Sequence, residues 1–424
     1  MVNKKVCGYN NAKEKYAEFG VDTEKAIVAL EKVAVSLHCW QGDDVAGFEK
    51  PDAELSSGGI QVTGNYPGRA RNVKELRRDL EQVLSYLPGK HRVNLHAIYG
   101  EFSGKRVDRD EIESKHYEGW VDWSRGLKNK VTGLDFNATL FSHPKAAAGF
   151  TLSSRDPGIR GFWVEHVKRC RRITQYFGES CGSTSIHNLW IPDGMKDFCV
   201  NRAGYRRDLK DSLDKIYKTK LPAKFVADAV EPKLFGIGSE MFVVGSHEFY
   251  LSYALKNNLL LCLDLGHYHL TESIGDKVSA LLQFFPSVLL HVSRGVRWDS
   301  DHVVVSDDIL HEVMHEIVRA GAVGRVIIAL DYFDASINRI GAWVTGARAV
   351  LKTLLYALLE PVKQLQEYES RGEYYPRLAL LEQMKAMPYN DIWEEYCCRK
   401  NVISEESRII KEILAYEGKV LNRR

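Results

Sequence analysis

Eight short apolar runs, separated for the most part by segments of helical period, constrain what this chain can fold into more than any other feature. They fall at residues 33–38, 92–98, 132–137, 184–191, 225–230, 259–265, 288–292 and 326–332. Runs of this length read as β-strands buried on both faces. Among the intervening segments, Asn72-Val73-Lys74-Glu75 reads as a capping box ahead of Leu76, Leu80, Val83, Leu84 and Leu87, with Pro88 stopping the helix. Ile159, Trp163, Val167, Cys170, Ile173 and Phe177 form a stripe spaced by three and four, closed by Gly178. Leu209, Leu213 and Ile216 repeat the spacing, as do Val278, Leu281, Leu282 and Phe285 before Pro286. A further helix starts near Ser306, carries Leu310, Val313 and Ile317, and ends at Gly321. Strands that alternate with helices pair in parallel and are covered on both faces. Eight such units predict an α/β fold, the (β/α)8 TIM barrel. From Pro361 onward the chain is polar and helical without strand runs. Residues 1–360 are therefore expected to form the catalytic barrel with an N-terminal helix, and 361–424 a C-terminal helical extension of the same unit that serves oligomer contacts.

Composition removes several classes of function. The chain is 45% hydrophobic and 27% charged with a net charge of +2, an ordinary globular balance that suggests neither a nucleic-acid nor a membrane partner. Met1-Val2-Asn3-Lys4-Lys5 open the chain without a following apolar signal region, and no apolar run approaches the roughly 20 residues that span a bilayer. The eight cysteines show no CxxC spacing and read as reduced thiols, which points to the cytoplasm.

Four donor side chains sit where four successive apolar runs stop: Glu231, Asp264, His291 and Asp331. His267 follows Asp264 by three residues, and Asp299-Ser300-Asp301 lies just beyond His291. In a barrel of this kind the carboxyl ends of the strands form the site. Carboxylates gathered there repel one another unless a cation neutralises them, so the pattern predicts a metal centre with two divalent ions. Oxygen-rich donors with imidazole suit Mn2+, Mg2+, Co2+ or Zn2+. Two such ions can hold vicinal oxygens, as on carbons 1 and 2 of an α-hydroxy aldehyde, and promote hydrogen transfer between those carbons. His96 lies on the second strand, and Trp40, Phe136, Trp190 and Trp298 are candidate walls against the C–H faces of a sugar.

Plainer roles compete for these residues. Asp299 and Asp301 alone would suit a solvated turn, and His96 a buried histidine bonded to backbone. His143, His269 and His302 read as structural, Cys39 as core, and Asp43 and Asp44 as caps or ion-pair partners. Asp334 and Arg339 read as braces for the last loop and helix.

Several long stretches carry a closer likeness. They are His38-Cys39-Trp40-Gln41-Gly42-Asp43-Asp44-Val45, Gly64-Asn65-Tyr66-Pro67-Gly68, Trp190-Ile191-Pro192-Asp193-Gly194-Met195-Lys196-Asp197 and Lys233-Leu234-Phe235-Gly236-Ile237-Gly238. To these add His291-Val292-Ser293-Arg294, Val296-Arg297-Trp298-Asp299-Ser300-Asp301-His302-Val303-Val304 and Asp334-Ala335-Ser336-Ile337-Asn338-Arg339. In this order, and over nearly the whole chain, the sequence resembles the L-rhamnose isomerases. The resemblance implies an aldose–ketose isomerase converting L-rhamnose to L-rhamnulose in carbohydrate degradation, built as a barrel and assembled as a homotetramer. It also implies that His267, Asp299 and Asp301 hold a catalytic manganese, and that Glu231, Asp264, His291 and Asp331 hold a second, more structural ion, often zinc. By the same resemblance Lys233 holds substrate oxygens, Asp331 positions a water for proton shuttling, and His96 assists opening of the sugar ring.

A metal-dependent hydrolase on the same barrel, a phosphoesterase or a nuclease, is the competing class. It would call for a basic groove or extra Arg and Lys near the ions, and the near-neutral charge weakens that reading.

Overall fold

The computed structural model describes residues 2–49, 64–102, 104 and 106–424, with side chains from residue 8 onward. The opening lysines and Cys7 therefore lie outside the described side chains. The eight apolar runs become eight parallel strands: β1 (Ser36–His38), β2 (His91–His96), β3 (Val131–Asn137), β4 (Ser185–Leu189), β5 (Val226–Val230), β6 (Leu260–Asp264), β7 (Val288–Val292) and β8 (Val326–Leu330). They close into a barrel in the order β1-β8-β7-β6-β5-β4-β3-β2. β1 has only three residues, yet Ser36 stands opposite both Ala329 of β8 and Arg92 of β2, which completes the ring. Most strands are shorter than their apolar runs, because the chain turns into loop or a 3-10 turn as it clears the barrel rim; Ile98, for example, sits in such a turn.

Side chains alternate across a strand, so every second residue points into the barrel. Ile186, Ala229, Cys262, Leu289 and Ala329 form a separate buried cluster, with Ala227, Leu260 and Ile327 against it. That cluster is the plug inside the ring. The larger core lies outside it and includes Leu134, Val230, Leu263, Leu290 and Leu330 with the helix faces. Beside the plug, Asp135 accepts bonds from Arg92 Nε (2.9 Å), Arg92 Nη2 (2.8 Å) and Ser36 Oγ (2.7 Å). One inward step toward the carboxyl ends lie Asn188, Glu231, Asp264, His291 and Asp331. The alternation that buries the plug thus aims all five at one mouth.

The helices are α1 (Val2–Ala17), α2 (Thr23–Glu31), α3 (Val73–Ser85), α4 (Glu118–Gly126), α5 (Pro157–Cys181), α6 (Arg202–Tyr217), α7 (His247–Asn257), α8 (Ile274–Leu281), α9 (Asp308–Arg319) and α10 (Arg339–Leu358). Three sequence expectations are corrected here. The Asn72 side chain caps α3 by accepting from Glu75 N, but the Glu75 carboxylate accepts from Arg71 N rather than closing a box on Asn72. Helix α5 does not stop at Gly178. It runs to Cys181 and ends at Gly182, whose φ of +67° suits a residue without Cβ. Gly178 instead lies against Phe225, whose carbonyl oxygen would be 2.1 Å from an added Cβ. Helix α8 ends at Leu281, so Leu282 and Phe285 are buried from the turn that follows.

The segment after Pro361 is helical as expected: α11 (Val362–Ser370), α12 (Tyr374–Met384), α13 (Tyr389–Arg399) and α14 (Glu406–Lys419). It is tied to the rest of the chain by polar contacts, of which the set around Asp79 is buried. Asp79 of α3 accepts from Arg424 Nη1 (2.6 Å), Arg424 Nη2 (2.8 Å) and Tyr416 Oη (2.7 Å). Arg348 of α10 reaches Glu406 (3.1 Å), and Arg399 of α13 reaches Glu24 (2.6 Å).

Asp79 and Arg424 are both nearly inaccessible, so removing one partner strands the other. Arg424→Ala is expected to lower folding stability by about 3–5 kcal/mol, read as a shift in the urea midpoint. The deficit should shrink as pH falls and the stranded Asp79 carboxyl takes a proton. An unchanged midpoint at neutral pH would contradict this.

Candidate metal centre

Backbone bonds between neighbouring strands carry their alignment past the last paired residues. Glu231 N donates to Leu189 O, Leu265 N to His291 O, and Asp331 N to Val292 O, each at 3.0 Å. Asp264 stands directly opposite His291. As a result His291 Nδ1 lies 2.9 Å from Asp331 Oδ2, 3.2 Å from Glu231 Oε2 and 3.7 Å from Asp264 Oδ2. Donor atoms of all four side chains fall within 4.8 Å of one another. The expected convergence of Glu231, Asp264, His291 and Asp331 is therefore present.

Around this set the other expected donors form a second group. His267 Nδ1 is 3.1 Å from Glu231 Oε1, and its Nε2 is 3.5 Å from Asp299 Oδ2. Lys233 Nζ pairs with Asp299 Oδ2 at 2.7 Å. Asp299 and Asp301 arrive on the loop after β7, which is held by an Arg294–His302 bridge and by Phe333 N donating to Asp301 O. Asp301 turns that loop with φ +46°, a conformation that a short polar residue tolerates. These three residues adjoin the first set but are less tightly drawn together.

The charges show what such crowding does. Burial raises the Asp264 carboxyl to about 7, with Glu231 and Asp331 adding to the effect. Burial also pushes Asp301 well above the carboxylate range, helped by Asp299. Glu231 goes the other way: burial opposes its ionisation, but His291 and His267 beside it hold the carboxyl well below its usual range. Burial disfavours a charged His267, yet Asp264 and Asp299 outweigh it and raise the imidazole to about 10. His291 is raised in the same sense, and so is Lys233, against burial, by Asp299 and Asp301.

The walls differ from expectation at one position. Phe136 lies between the inward-facing Asp135 and Asn137, so it points outward and packs edge-on against Tyr117 (5.0 Å) and Phe177 (5.6 Å). It does not line the mouth, so it is no wall for a sugar there, contrary to expectation. Trp40 is almost wholly buried, and its Nε1 donates to Asp331 Oδ1 at 3.1 Å, fixing that carboxylate. Trp190 is half-buried with Lys233 Nζ 4.9 Å over its ring. His96 sits edge-on to Trp40 (4.7 Å), and its Nδ1 is 3.1 Å from Thr139 Oγ1. Burial depresses its imidazole to about 3, so it is neutral at ordinary pH. Trp298 is exposed on its loop. Away from the centre, Asp44 pairs with Arg339, Asp43 accepts from Gly47 N and Tyr99 Oη, and His143 meets Asp108.

Sequence reasoning missed the residues that aim the donors. Asn188 Nδ2 donates to Glu231 Oε2, while Ser293 Oγ (2.8 Å) and Gly266 N (2.7 Å) both donate to Asp264 Oδ1. Asn188 could have been found by counting two residues on from Ile186. Ser293 and Gly266 carry no such signal.

The residues fit a divalent cation. His291 Nε2, wholly buried, has no hydrogen-bond partner in the protein, and neither has Asp299 Oδ1. Buried polar atoms are seldom left so. Three carboxylates and one imidazole form an oxygen-rich set suited to the ions named above.

Comparison with known proteins agrees with this geometry. The family model described as L-rhamnose isomerase (RhaA) matches residues 3–424. An L-rhamnose isomerase of Rhodopirellula baltica is 52% identical over 413 residues, covering 97% of this chain and 95% of that protein. One of Bacteroides thetaiotaomicron is 52% identical over 416 residues, covering 98% of each. A solved L-ribulose 3-epimerase superposes with a TM-score of 0.50 at 12% identity, covering 80% of this chain and 98% of that one, which supports the barrel alone.

Adding Mn2+ to chelator-stripped protein should raise its unfolding temperature, since an ion at 100 times its Kd stabilises the folded state by about 2.7 kcal/mol. Asp264→Asn should lose most of that gain in differential scanning calorimetry. No shift with Mn2+, Co2+, Zn2+ or Mg2+ would contradict the centre.

Proposed function

The chain belongs to the L-rhamnose isomerase family, and from that premise we propose that this sugar isomerase interconverts L-rhamnose and L-rhamnulose by hydrogen transfer between carbons 1 and 2 of the open-chain sugar. The observation that carries the reading is the set of donors one inward step beyond the apolar plug, beside a half-buried tryptophan and a buried lysine. In this reading Glu231, Asp264, His291 and Asp331 hold one ion, zinc or manganese, and His267, Asp299 and Asp301 hold a catalytic manganese. Such ions would supply Lewis-acid polarisation of the two vicinal sugar oxygens.

The protein's own groups do the rest. Trp190 offers its ring to the C–H face of the sugar, with Trp40 behind Asp331. Lys233, held by Asp299 (2.7 Å), donates to a substrate oxygen. His96, neutral and fixed by Thr139, assists ring opening by exchanging a proton with the ring oxygen or the C1 hydroxyl. In the net change the hydrogen on C2 passes to C1, and the hydroxyl proton on O2 passes to O1. Asp331, anchored by Trp40, orients the water that carries that second proton. No atom is gained or lost.

The same reading covers the rest of the chain. We assign residues 1–360 to the barrel with its N-terminal helix and 361–424 to an extension within the same unit, supported by the buried Asp79–Arg424 pair. Exposed Tyr374, Tyr375 and Leu378 on α12, with Ile410 and Leu414 on α14, are the apolar faces we assign to contacts in a homotetramer. Seven described cysteines are free thiols, which suits a reducing cytoplasm. Among the described residues, no single helix is long and apolar enough to cross a membrane.

With L-rhamnose and Mn2+, the protein should produce ketose in a coupled reductase assay. His267→Ala and Asp299→Ala should each lower kcat by at least about 100-fold, the scale of losing one group that stabilises developing charge, while far-ultraviolet circular dichroism stays unchanged. Cleavage of a phosphodiester without any ketose would favour the hydrolase instead.

A further inference from the structure

Below the four donors, the barrel interior carries one more group with affinity for metals. Cys262 lies on β6 one inward step beneath Asp264 and is wholly buried. Its neighbours in the plug are Ile186, Ala229, Leu289 and Ala329, which offer no polar side chain to share it. Its sulfur, a carboxylate oxygen of Glu231 and a ring nitrogen of His291 lie within 4.8 Å of one another. His291 is the independent sign of a ligand here: its Nδ1 faces the Asp331 and Glu231 carboxylates, while its Nε2, fully buried, has no hydrogen-bond partner in the protein.

We propose that the barrel contains a second, deeper cation position, formed by Cys262 Sγ, His291 and Glu231, that takes a thiophilic divalent ion such as Cd2+. The upper and deeper positions share His291 and Glu231 but differ in the rest. The upper set adds the Asp264 and Asp331 carboxylates and suits harder ions; the deeper set replaces both with sulfur and suits softer ones. The thiolate is the ligand form, so binding exchanges the Cys262 proton for the ion and releases that proton to solvent. Because two donors are shared, an ion seated below draws His291 and Glu231 away from the upper position. The deeper position is therefore a route by which soft metals poison the centre. The inference adds to the proposed function without depending on which sugar the mouth accepts.

The test titrates chelator-stripped full-length protein with Co2+ and, separately, Cd2+. The wild type should develop a thiolate-to-metal charge-transfer band in the near ultraviolet. Cys262→Ala and Cys262→Ser should lose the band, with Cd2+ affinity falling by more than the about 10- to 100-fold typical of losing an outer-shell partner. Cadmium NMR of the wild type needs no substitution: a resonance in the sulfur-ligated range supports the deeper position, and one in the all-oxygen and nitrogen range overturns it. Co2+ bound without a thiolate band overturns the deeper position and leaves the upper centre standing. A band that persists in both variants places the thiolate elsewhere and also overturns it. Failure to bind either ion would remove the deeper position and the metal centre together.

Discussion

Five carboxylates, Glu231, Asp264, Asp299, Asp301 and Asp331, meet at one barrel mouth, where like charges held this close and away from water repel strongly unless cations stand among them. The rest of the site is arranged around that repulsion. His291 and His267 sit against Glu231, Lys233 sits against Asp299, and both imidazoles are held toward their charged form. Uncharged donors then fix which oxygen points where: Trp40 on Asp331, Asn188 on Glu231, Ser293 and Gly266 on Asp264. The internal cations offset the negative charge only in part. Asp264 and Asp301 still resist ionisation, and His291 Nε2 and Asp299 Oδ1 have no hydrogen-bond partner in the protein. A divalent ion would meet both needs together.

The barrel makes this crowding tolerable by separating duties along its axis. An Arg92–Asp135–Ser36 network adjoins an apolar plug, and the donors crown the carboxyl end. Because strand side chains alternate, the packing that excludes water from the plug also fixes the direction of every donor two residues on. Core packing thus sets the direction of Glu231, Asp264, His291 and Asp331, while His267, Asp299 and Asp301 come from the loops beyond the strands. The C-terminal helices contribute at a distance. They lock α3 and α10 through Asp79 and Arg348, and α10 in turn supplies Arg339, which holds Asp44 in the loop after β1.

Much of this was legible in the sequence because buried strands leave long apolar traces. All eight strands lie on the expected runs, and the donors at the ends of the last four converge as expected. What the sequence hid was mostly orientation. Phe136 reads as a plausible sugar wall by type, but its place between Asp135 and Asn137 sends it outward against Tyr117 and Phe177. Trp40 reads as a wall by type, and no sequence pattern shows that its indole N–H also donates to Asp331. Gly178 reads as a helix stop, but it is glycine because the Phe225 carbonyl leaves no room for a Cβ, a fact of tertiary packing that no local pattern carries. Ser293 and Gly266 act on Asp264 through the fold of loops that leave no periodic trace.

Anomalous diffraction from crystals grown with Mn2+ measures the central claim directly. The account predicts one anomalous peak ringed by Glu231, Asp264, His291 and Asp331, and a neighbouring one beside His267, Asp299 and Asp301 with Lys233 released from Asp299. Peaks found only on the outer surface, with the mouth carboxylates still paired to His291, His267 and Lys233, would contradict it.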